Sequence, residues 1–354
     1  MPPWTPAPSL LFWLWGTDHG LAHAEVESLS GQRAYALARG LVASHSLEWQ
    51  PLSRLAFTRV VFECLGRTDD LTLPFEPEQI ISGTFAVRAH VPEAIHSGEA
   101  SSTGGTGGVG STGAFDTATV SASDMAGRAG ELIGLRLTRP CVDLRRPETE
   151  IHLFITPSGL YWGRPLIVID GEQFAPREPH RRPFWRSMAL PQRKARCLVN
   201  LSGIGPGKLL LDPFCGTGSI PIEATLMGIR CVASDVDPIV ARGVALNFAA
   251  LKLTQIGVHE LDARVWCESP LRFDGIVADL PYGRSASIKG VDRDELYRAF
   301  LETAARILAP GGRVVLMAPE GTLPAEPRGL RVRSRHTEYV HGSLTREVTV
   351  LEAP

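Results

Sequence analysis

Residues 212–219 decide the fold, and they read Asp212-Pro213-Phe214-Cys215-Gly216-Thr217-Gly218-Ser219. A short apolar run precedes them at 209–211, and a helix-like pattern follows from about residue 220 to 227. Glycines in such a strand-to-helix turn let the backbone approach a ligand closely. A dinucleotide-binding turn would carry a third glycine at position 221, which is Pro221. This segment, the glycine turn, therefore disfavours a pyrophosphate ligand.

Strand-like and helix-like runs alternate on the carboxyl side of the glycine turn. The alternation predicts an α/β domain over residues 208–354, with a parallel sheet covered by helices on both faces. A turn at 310–312 is expected to lead into the fifth strand, and runs at 331–334 and 346–351 are expected to close the sheet as an antiparallel hairpin. The remaining predicted strands are Cys231–Ser234, Gly257–Leu261, Gly275–Ala278 and Val314–Met317, and the predicted helices are Ile239–Leu251 and Asp294–Leu308.

Residues 1–165 have a different texture, in which short strand-like runs mix with a helix-like one. This mixture predicts an α+β domain. A tract rich in Gly, Ser and Thr at about 97–122 has too little apolar surface to order itself and predicts a flexible surface insertion. Residues 166–207 are expected to form a basic linker. The strand-like runs of the first region are Leu10–Trp15, Leu55–Cys64 and Glu150–Ile155, and its helix-like run is Gly20–Leu29.

Acidic residues follow the predicted strands at positions suited to an adenosine ligand. Asp235 ends the second strand about 20 residues after the glycines, where a carboxylate can accept hydrogen bonds from both ribose hydroxyls. Asp262 follows the third strand and can accept from an adenine amino group, although a loop cap explains it equally well. Asp237 precedes Pro238 and is better explained as a helix N-cap. This spacing favours S-adenosylmethionine as the ligand.

The fourth strand is followed by Asp279-Leu280-Pro281-Tyr282, the Asp-Leu-Pro-Tyr loop. Open α/β sheets bind ligands at the carboxyl ends of their strands, so this loop and the glycine turn should face one crevice. An amino group on a heterocycle is a poor nucleophile because its lone pair is delocalised, and the Asp279 carboxylate and Leu280 carbonyl can accept its N–H groups. Tyr282 can stack on a flipped-out base. The loop predicts methyl transfer to a base amine.

The charge distribution indicates a local contact with nucleic acid rather than a global one. The formal net charge is only -2, yet residues 177–196, the basic segment, hold seven Lys or Arg against the single acid Glu178. Phe184 and Trp185 interleave with them. Such a run is typical of phosphate contact or of a solvated linker. The candidate RNA-binding residues are Arg177, Arg181, Arg182, Arg186, Arg193 and Lys194.

Composition argues against several other classes of protein. No apolar run approaches the roughly 20 residues of a membrane-spanning helix, and we expect neither an anchor nor a signal peptide. Six cysteines without a Cys-x-x-Cys pair suggest neither disulfides nor zinc and fit a reducing cytoplasm. His23, His180 and His341 show no metal spacing, so we expect no metal, and we expect a monomer. Cytosine C5 methylation is disfavoured because the Asp-Leu-Pro-Tyr loop has no cysteine.

Three motifs resemble those of the THUMP-domain tRNA guanine-N2 methyltransferases: DPFCGTGSIPIEA at 212–224, SDVDP at 234–238 and DLPYGRS at 279–285. The stretch VDLRRPETEIHLFI from Val142 resembles the end of a THUMP domain, and REPHRRPFWRSMALPQRKARCLVNLS from Arg177 resembles the family's linker into the catalytic domain. The resemblance covers most of the chain from about residue 140 and, more loosely, the earlier part. Within the family, the archaeal enzymes that act on guanine 10 are the most similar.

This resemblance implies a Rossmann-like class I methyltransferase domain with a mostly parallel seven-stranded sheet at 208–354, after an α+β region with a THUMP domain at 1–165. It implies S-adenosylmethionine as methyl donor, tRNA as partner, and mono- then dimethylation of N2 of guanine 10. At the target amine it places Asp279, Pro281 and Tyr282, beside Leu280. Around the cofactor it places Asp212, Gly216, Gly218, Asp235, Asp262, Pro183 and Phe184, to which we add Cys215 and Thr217 of the same turn.

Alternatives remain open because the acid-x-Pro-aromatic loop suits several amines. They are N2 methylation of guanine 6 in tRNA and N6 methylation of adenine in DNA. A non-catalytic RNA-binding module is a further alternative, although such a module would have no chemical use for Asp279, Gly216 and Gly218 together. A nicotinamide-dependent oxidoreductase is disfavoured by Pro221.

Overall fold

The computed structural model describes residues 8–16, 18–45, 50–93, 121–254, 256–282, 292–342 and 344–353. Two compact units are present: the first comprises 1–53 and 57–169, and the second comprises 54–56 and 170–354. Nearly all of the predicted Gly/Ser/Thr-rich insertion (97–120 of 97–122) lies outside the described residues. Residues 170–207, interpreted from sequence as most of a linker, belong to the second unit.

The first unit is an α+β fold built on one seven-stranded sheet. Its strands are β1 (Leu10–Leu14), β2 (Ala34–Ala38), β3 (Leu41–Ser44), β4 (Thr58–Thr68), β5 (Phe85–His90), β6 (Thr149–Thr156) and β7 (Gly159–Val168), and its helices are α1 (His19–Ser30), α2 (Pro77–Ile80) and α3 (Ala122–Gly134). The strand order is β2-β3-β1-β4-β7-β6-β5, in which only β5 and β6 pair in parallel. Helix α3 buries Met125, Ala129 and Ile133, which are spaced four apart and so share one helix face.

The second unit alternates helices with strands. Its helices are α4 (Gln192–Leu201), α5 (Ser219–Leu226), α6 (Pro238–Ala250) and α7 (Arg293–Ile307), and its strands are β8 (Leu209–Asp212), β9 (Arg230–Asp235), β10 (Gly257–Glu260), β11 (Phe273–Asp279), β12 (Leu308–Pro319), β13 (Arg331–His341) and β14 (Leu344–Glu352). The strand order is β10-β9-β8-β11-β12-β14-β13. Strands β8 to β12 are parallel, and β14 pairs antiparallel with β12 and β13.

This strand order positions the site. The chain runs outward from β8 in one direction through β9 and β10, then returns to the other side of β8 with β11 and β12. Right-handed crossovers on the two sides of such a reversal put their helices on opposite faces of the sheet. The loops that leave β8 and β11 consequently diverge and open a crevice at the carboxyl edge.

The structure confirms the predicted fold class, including the mostly parallel seven-stranded sheet and the closing hairpin. One expected turn differs, because β12 begins at Leu308 and includes residues 310–312. Gly311 there has a φ of 72°, and a Cβ on Gly312 would come within 2.8 Å of the Asp274 carbonyl oxygen. The two glycines therefore let the chain enter the strand against β11 without a separate turn.

Candidate active site

A cleft lies at the carboxyl edge of the second sheet, where the topology predicts one. It brings together the glycine turn, the end of β9, residues 261–264, the Asp-Leu-Pro-Tyr loop and residues 186–190. The predicted site residues on its wall are Asp212, Cys215, Gly216, Thr217, Asp235, Asp262, Asp279, Leu280, Pro281 and Tyr282. Motifs that lie far apart in the sequence thus share one cavity.

Backbone hydrogen bonds fasten the glycine turn to the end of β9. The Cys215 N–H donates to the Ser234 carbonyl at 3.0 Å, and the Gly216 N–H donates to Asp235 Oδ2 at 3.0 Å. Gly216 and Gly218 have φ values of 48° and 83°, in the left-handed region that favours glycine. Gly218 starts α5 and packs on Val244, where a Cβ would approach to 3.1 Å, so it shapes the turn from behind the cleft wall.

The Cys215 side chain is part of the protein core rather than a nucleophile. Only 5% of the residue is exposed, and its side chain packs with Ile222, Val244 and Phe248. Burial raises the pKa of the Cys215 thiol well above its usual range, with the nearby charges of Asp212 and Asp235 acting in the same direction. A thiol held neutral in this way is inert.

The two acids at the end of β9, Asp235 and Asp237, have different roles. Asp235 accepts the Gly216 N–H with Oδ2 and the Asp237 N–H at 3.0 Å with Oδ1, and it lines the cleft. Each carboxylate oxygen retains a further lone pair for a ribose hydroxyl. Asp237 accepts the Ile239 N–H at 3.0 Å as the N-cap of α6, which confirms the capping interpretation.

Asp262 also lines the cleft but is engaged by Arg264. Its Oδ1 accepts the Arg264 N–H at 2.9 Å as the cap of a short 3-10 helix, and its Oδ2 lies 2.7 Å from the Arg264 guanidinium. Hydrogen bonding to Arg264 lowers the pKa of Asp262. An adenine amino group would therefore share this carboxylate with Arg264, a residue that the sequence did not single out.

Asp212 and Asp279 each place a buried carboxyl oxygen at the cleft. Asp212 Oδ2 and Asp279 Oδ1 have no hydrogen-bond partner among the described residues. Burial raises the pKa of Asp212 well above its usual range, and the charges of Asp235 and Asp279 raise it further. Burial raises the pKa of Asp279 to about 7, against the opposing charge of Arg346. Such unsatisfied groups are costly in a structural role and typical of a site that meets a ligand.

The Asp-Leu-Pro-Tyr loop is held rigid on both sides. The Leu280 N–H donates to the Met317 carbonyl at 2.9 Å, which extends the pairing of β11 with β12 past Asp279. The Tyr297 hydroxyl donates to the Pro281 carbonyl at 2.9 Å. The Leu280 side chain is 1% exposed and packs in the core, whereas Tyr282 is half-buried at the cleft. The loop therefore presents Asp279 and Tyr282 from a fixed backbone.

Pro183 and Phe184, which are predicted to contact the cofactor, precede the residues that form one wall of the cleft. The Phe184 ring packs on α6 against Gly243, where a Cβ would come within 2.2 Å, and Asn247 binds the Phe184 N–H and carbonyl at 2.9 and 2.8 Å. Pro183 is exposed. Neither residue is among those that line the cleft, and their contact with the cofactor stays a prediction. The wall consists of Arg186, Met188, Ala189 and Leu190.

The basic segment is mostly structural. Arg177 and Arg196 both pair with Glu223, whose side chain is fully buried, and Lys194 lies 2.7 Å from Glu338. Arg182, 3% exposed, donates to the Thr217 carbonyl and to Ser219 Oγ. Arg177, Arg182 and Lys194 are buried, so these contacts explain their positions within the fold, and their predicted contact with RNA stays a prediction.

Three other candidates in the basic segment differ in exposure. Arg193 is half-buried and donates to the carbonyls of Ala56 and Gly171. Arg181 and Arg186 are exposed, and Arg186 pairs with Asp237 at the cleft. Arg181 and Arg186 are thus the candidates accessible to a phosphate.

The residues of the cleft fit S-adenosylmethionine. The carboxyl groups of Asp235 and Asp279 lie near enough to Asp212 to raise its pKa. A positively charged ligand among these three acids is therefore favoured. The left-handed Gly216 leaves the turn free of a Cβ on the ligand side. In the part of the chain that the structure describes, no group of three His, Cys, Asp or Glu side chains is arranged to hold a metal ion. No helix among the same residues is long and apolar enough to cross a membrane.

Comparison with known proteins gives matches over both units. The UPF0020 family (RMKL-like, methyltransferase domain) matches residues 179–348. The tRNA (guanine(10)-N2)-dimethyltransferase of Methanothermobacter thermautotrophicus is 40% identical over 60% of this chain and 63% of its own length. The protein of the same name from Pyrococcus abyssi is 30% identical over 94% of this chain and 96% of its own length. The tRNA (guanine(6)-N(2))-methyltransferase THUMP3 of Bos taurus is 33% identical over 52% of this chain and 40% of its own length.

The cleft is consistent with these similarities, because an acid, a rigid proline turn and an aromatic side chain line it together with a glycine turn. The match to the Pyrococcus abyssi protein extends over nearly the whole of both chains. The chain belongs to the family of the tRNA (guanine-N2)-methyltransferases.

Proposed function

We propose that this protein transfers methyl groups from S-adenosylmethionine to the exocyclic N2 of guanine 10 in tRNA, first one and then a second. The observation that carries the proposal is that a buried Asp279 oxygen, which has no hydrogen-bond partner among the described residues, shares one cleft with the half-buried Tyr282 and the glycine turn. The choice of guanine 10 is supported by the names of the relatives from Methanothermobacter thermautotrophicus and Pyrococcus abyssi.

The cofactor half of the cleft is assigned to the glycine turn and Asp235. When bound, S-adenosylmethionine supplies a methyl carbon attached to a positively charged sulfur, which keeps the bonding electron pair and leaves as a neutral thioether. Asp235 is positioned to accept the ribose hydroxyls, and the Gly216 backbone allows close approach. The carboxyls of Asp212 and Asp279 stabilise the positive charge before transfer.

The target half of the cleft is assigned to Asp279, Tyr282 and the Leu280 carbonyl. Tyr282 offers an aromatic face to a guanine that has left its base stack. Asp279 Oδ1 accepts an N–H of the N2 amine, which directs the nitrogen lone pair at the methyl carbon. As the new N–C bond forms, N2 becomes positively charged and loses one proton, which the Asp279 carboxylate accepts and passes to solvent. Because the pKa of Asp279 is about 7, this exchange is feasible near neutral pH.

We further propose that the first unit contains the THUMP domain and binds tRNA, and that Arg181 and Arg186 add phosphate contacts beside the cleft. The name of the relative THUMP3 supports the presence of a THUMP domain, and the exposure of the two side chains supports their phosphate contacts. The match to that relative keeps N2 methylation of guanine 6 as a second candidate, because its target amine is chemically identical.

The test is nucleoside mapping by mass spectrometry of unmodified tRNA after incubation with the protein and labelled S-adenosylmethionine. We expect label in N2-methyl- and N2,N2-dimethylguanosine at position 10. A matched tRNA with adenosine at position 10 should remain unlabelled. Label confined to guanine 6 would show that the protein methylates a guanine N2 at a different position from the proposed one. Absence of label from every tRNA would contradict the proposed function.

A further inference from the structure

Arg346, on a strand that carries none of the recognised motifs, approaches the target half of the cleft. On β14 it pairs in register with Pro319 of β12 and Glu338 of β13. Its guanidinium carbon lies 5.6 Å from the centre of the Tyr282 ring, over the ring, and the positive charge of Arg346 lowers the pKa of the Tyr282 hydroxyl against burial, which raises it. This contact places a planar cation on one face of the aromatic ring, a geometry that favours arginine.

The same cation lies near Asp279, because Asp279 pairs with Met317 of β12 and Arg346 pairs with Pro319, two residues further along β12 and on the same face of the sheet. Glu338 of β13 acts on Tyr282, and Arg293 and Asp294 of α7 act on Tyr297. The groups coupled to Asp279 itself are Asp212 from β8, Tyr282 from the same loop, Tyr297 from α7 and Arg346 from β14. Arg346 is the member of this set that carries a positive charge, and it lowers the pKa of the Asp279 carboxyl while burial raises it. Its charge thus favours the ionised form that accepts an amine N–H.

The surroundings of Arg346 leave that charge directed at the cleft. Glu338, its cross-strand neighbour, is engaged through Oε1 by Lys194 at 2.7 Å. Arg346 Nε is buried without a hydrogen-bond partner among the residues described. Arg346 is half-buried, so its charge is less screened by water than that of an exposed arginine and acts on neighbouring groups of low exposure.

We propose that Arg346 is a positioning residue for methyl transfer, which holds the Tyr282 ring for the incoming base and keeps the Asp279 carboxylate ionised beside the amine. A base that enters the cleft would stack on the side of Tyr282 that Arg346 does not cover. The inference rests on the proposed function, because both groups act on the same amine.

The experiment compares the pH dependence of kcat in the full-length protein and in R346Q, R346K and R333Q, with unmodified tRNA as substrate. R346Q removes the charge, so the acidic limb of its profile should move up by about one pH unit, with an approximately tenfold loss near pH 6 and recovery near pH 9. R346K keeps the charge and should retain the wild-type limb with a raised KM. R333Q removes an exposed β13 cation that pairs with Glu352 and should leave the profile unchanged. A uniform loss at every pH in both Arg346 variants would overturn the proposal.

A second measurement separates this inference from the proposed function. The carboxyl of Asp279 is titrated by ¹³C NMR in protein labelled at aspartate, without substrate, and is assigned by its disappearance in D279N. The Asp279 titration should move to higher pH in R346Q and stay near wild type in R346K. An unchanged titration in R346Q overturns the electrostatic role of Arg346 even if the enzyme is active. A moved titration in a protein that methylates no tRNA would instead reject the proposed function alone.

Discussion

Two buried carboxylates of the second unit have opposite environments. Glu223 on α5 is fully buried and accepts hydrogen bonds from Arg177 and from Arg196, the latter at 2.7 Å. Asp279 at the end of β11 has a buried oxygen without a partner among the described residues, and its pKa is raised to about 7. Desolvation costs both groups, but two paired cations offset that cost at Glu223, whereas burial outweighs the charge of Arg346 at Asp279. The comparison indicates that Glu223 holds the fold and that Asp279 awaits a ligand.

The largest expected effect follows from removing the Asp279 carboxylate. D279A should lower the single-turnover methylation rate by about 10²–10⁴-fold, because the amine loses its acceptor, while tRNA affinity stays within about twofold. Rates at saturating tRNA and filter binding measure the two quantities. D294A, at an exposed position in the first turn of α7, is the matched control and should behave as wild type. An equal loss of affinity and rate in D279A would assign Asp279 to binding.

Substitution of Glu223 should lower the stability of the fold. E223Q leaves two buried guanidinium groups without their counter-charge, so the free energy of unfolding should fall by about 3–5 kcal/mol. Urea denaturation followed by circular dichroism measures it. E302Q, on the exposed face of α7, should change the unfolding free energy by less than about 0.5 kcal/mol. If E223Q and E302Q unfold alike, pairing of Glu223 does not hold the fold.

The fold of the second unit was predictable because its determinants are local. Apolar runs of strand length, a helix stop at Gly228 and the order of alternation are all visible in sequence, and parallel strands with right-handed crossovers leave few topologies. The same locality made the glycine turn and the Asp-Leu-Pro-Tyr loop recognisable. Each motif follows one strand, and the carboxyl ends of parallel strands lie on a common edge.

The environment of each charge was not predictable, because pairing partners are distant in sequence. Glu223 meets Arg177 across 46 positions, and Asp279 meets Arg346 from a strand without a motif. The basic segment resembles a solvated run by composition, yet α4 turns Lys194 and Arg196 inward beside Cys197 and Leu198. Counting charges in a window cannot separate paired cations from exposed ones. Gly243 in the middle of a helix was an available signal for the Phe184 contact.

The raised pKa of Asp279 should make the free energy of unfolding depend on pH. The folded-state pKa of Asp279 is raised from about 3.8 to about 7, so ionisation of this group opposes folding. The destabilisation is absent below the unfolded-state pKa, grows as pH rises between the two values, and is complete above about pH 7. D279N should therefore match the wild type in unfolding free energy near pH 4 and exceed it near pH 8. A difference that does not change between these pH values would show that the Asp279 carboxyl titrates normally.

The smallest expected effect is on tRNA binding, and it concerns the difference between exposed and paired cations of the basic segment. Arg181 is exposed, whereas Arg196 is held by Glu223. R181Q should weaken tRNA binding by about 1 kcal/mol or less and reduce the slope of log Kd against log salt concentration by about 0.7–0.9, as expected when one phosphate contact is lost. R272Q is the matched control, because Arg272 is exposed at the amino end of β11, away from the cleft, and it should leave the slope unchanged. Equal slopes for R181Q and wild type would remove Arg181 from the RNA contact and leave the first unit to supply the phosphate contacts.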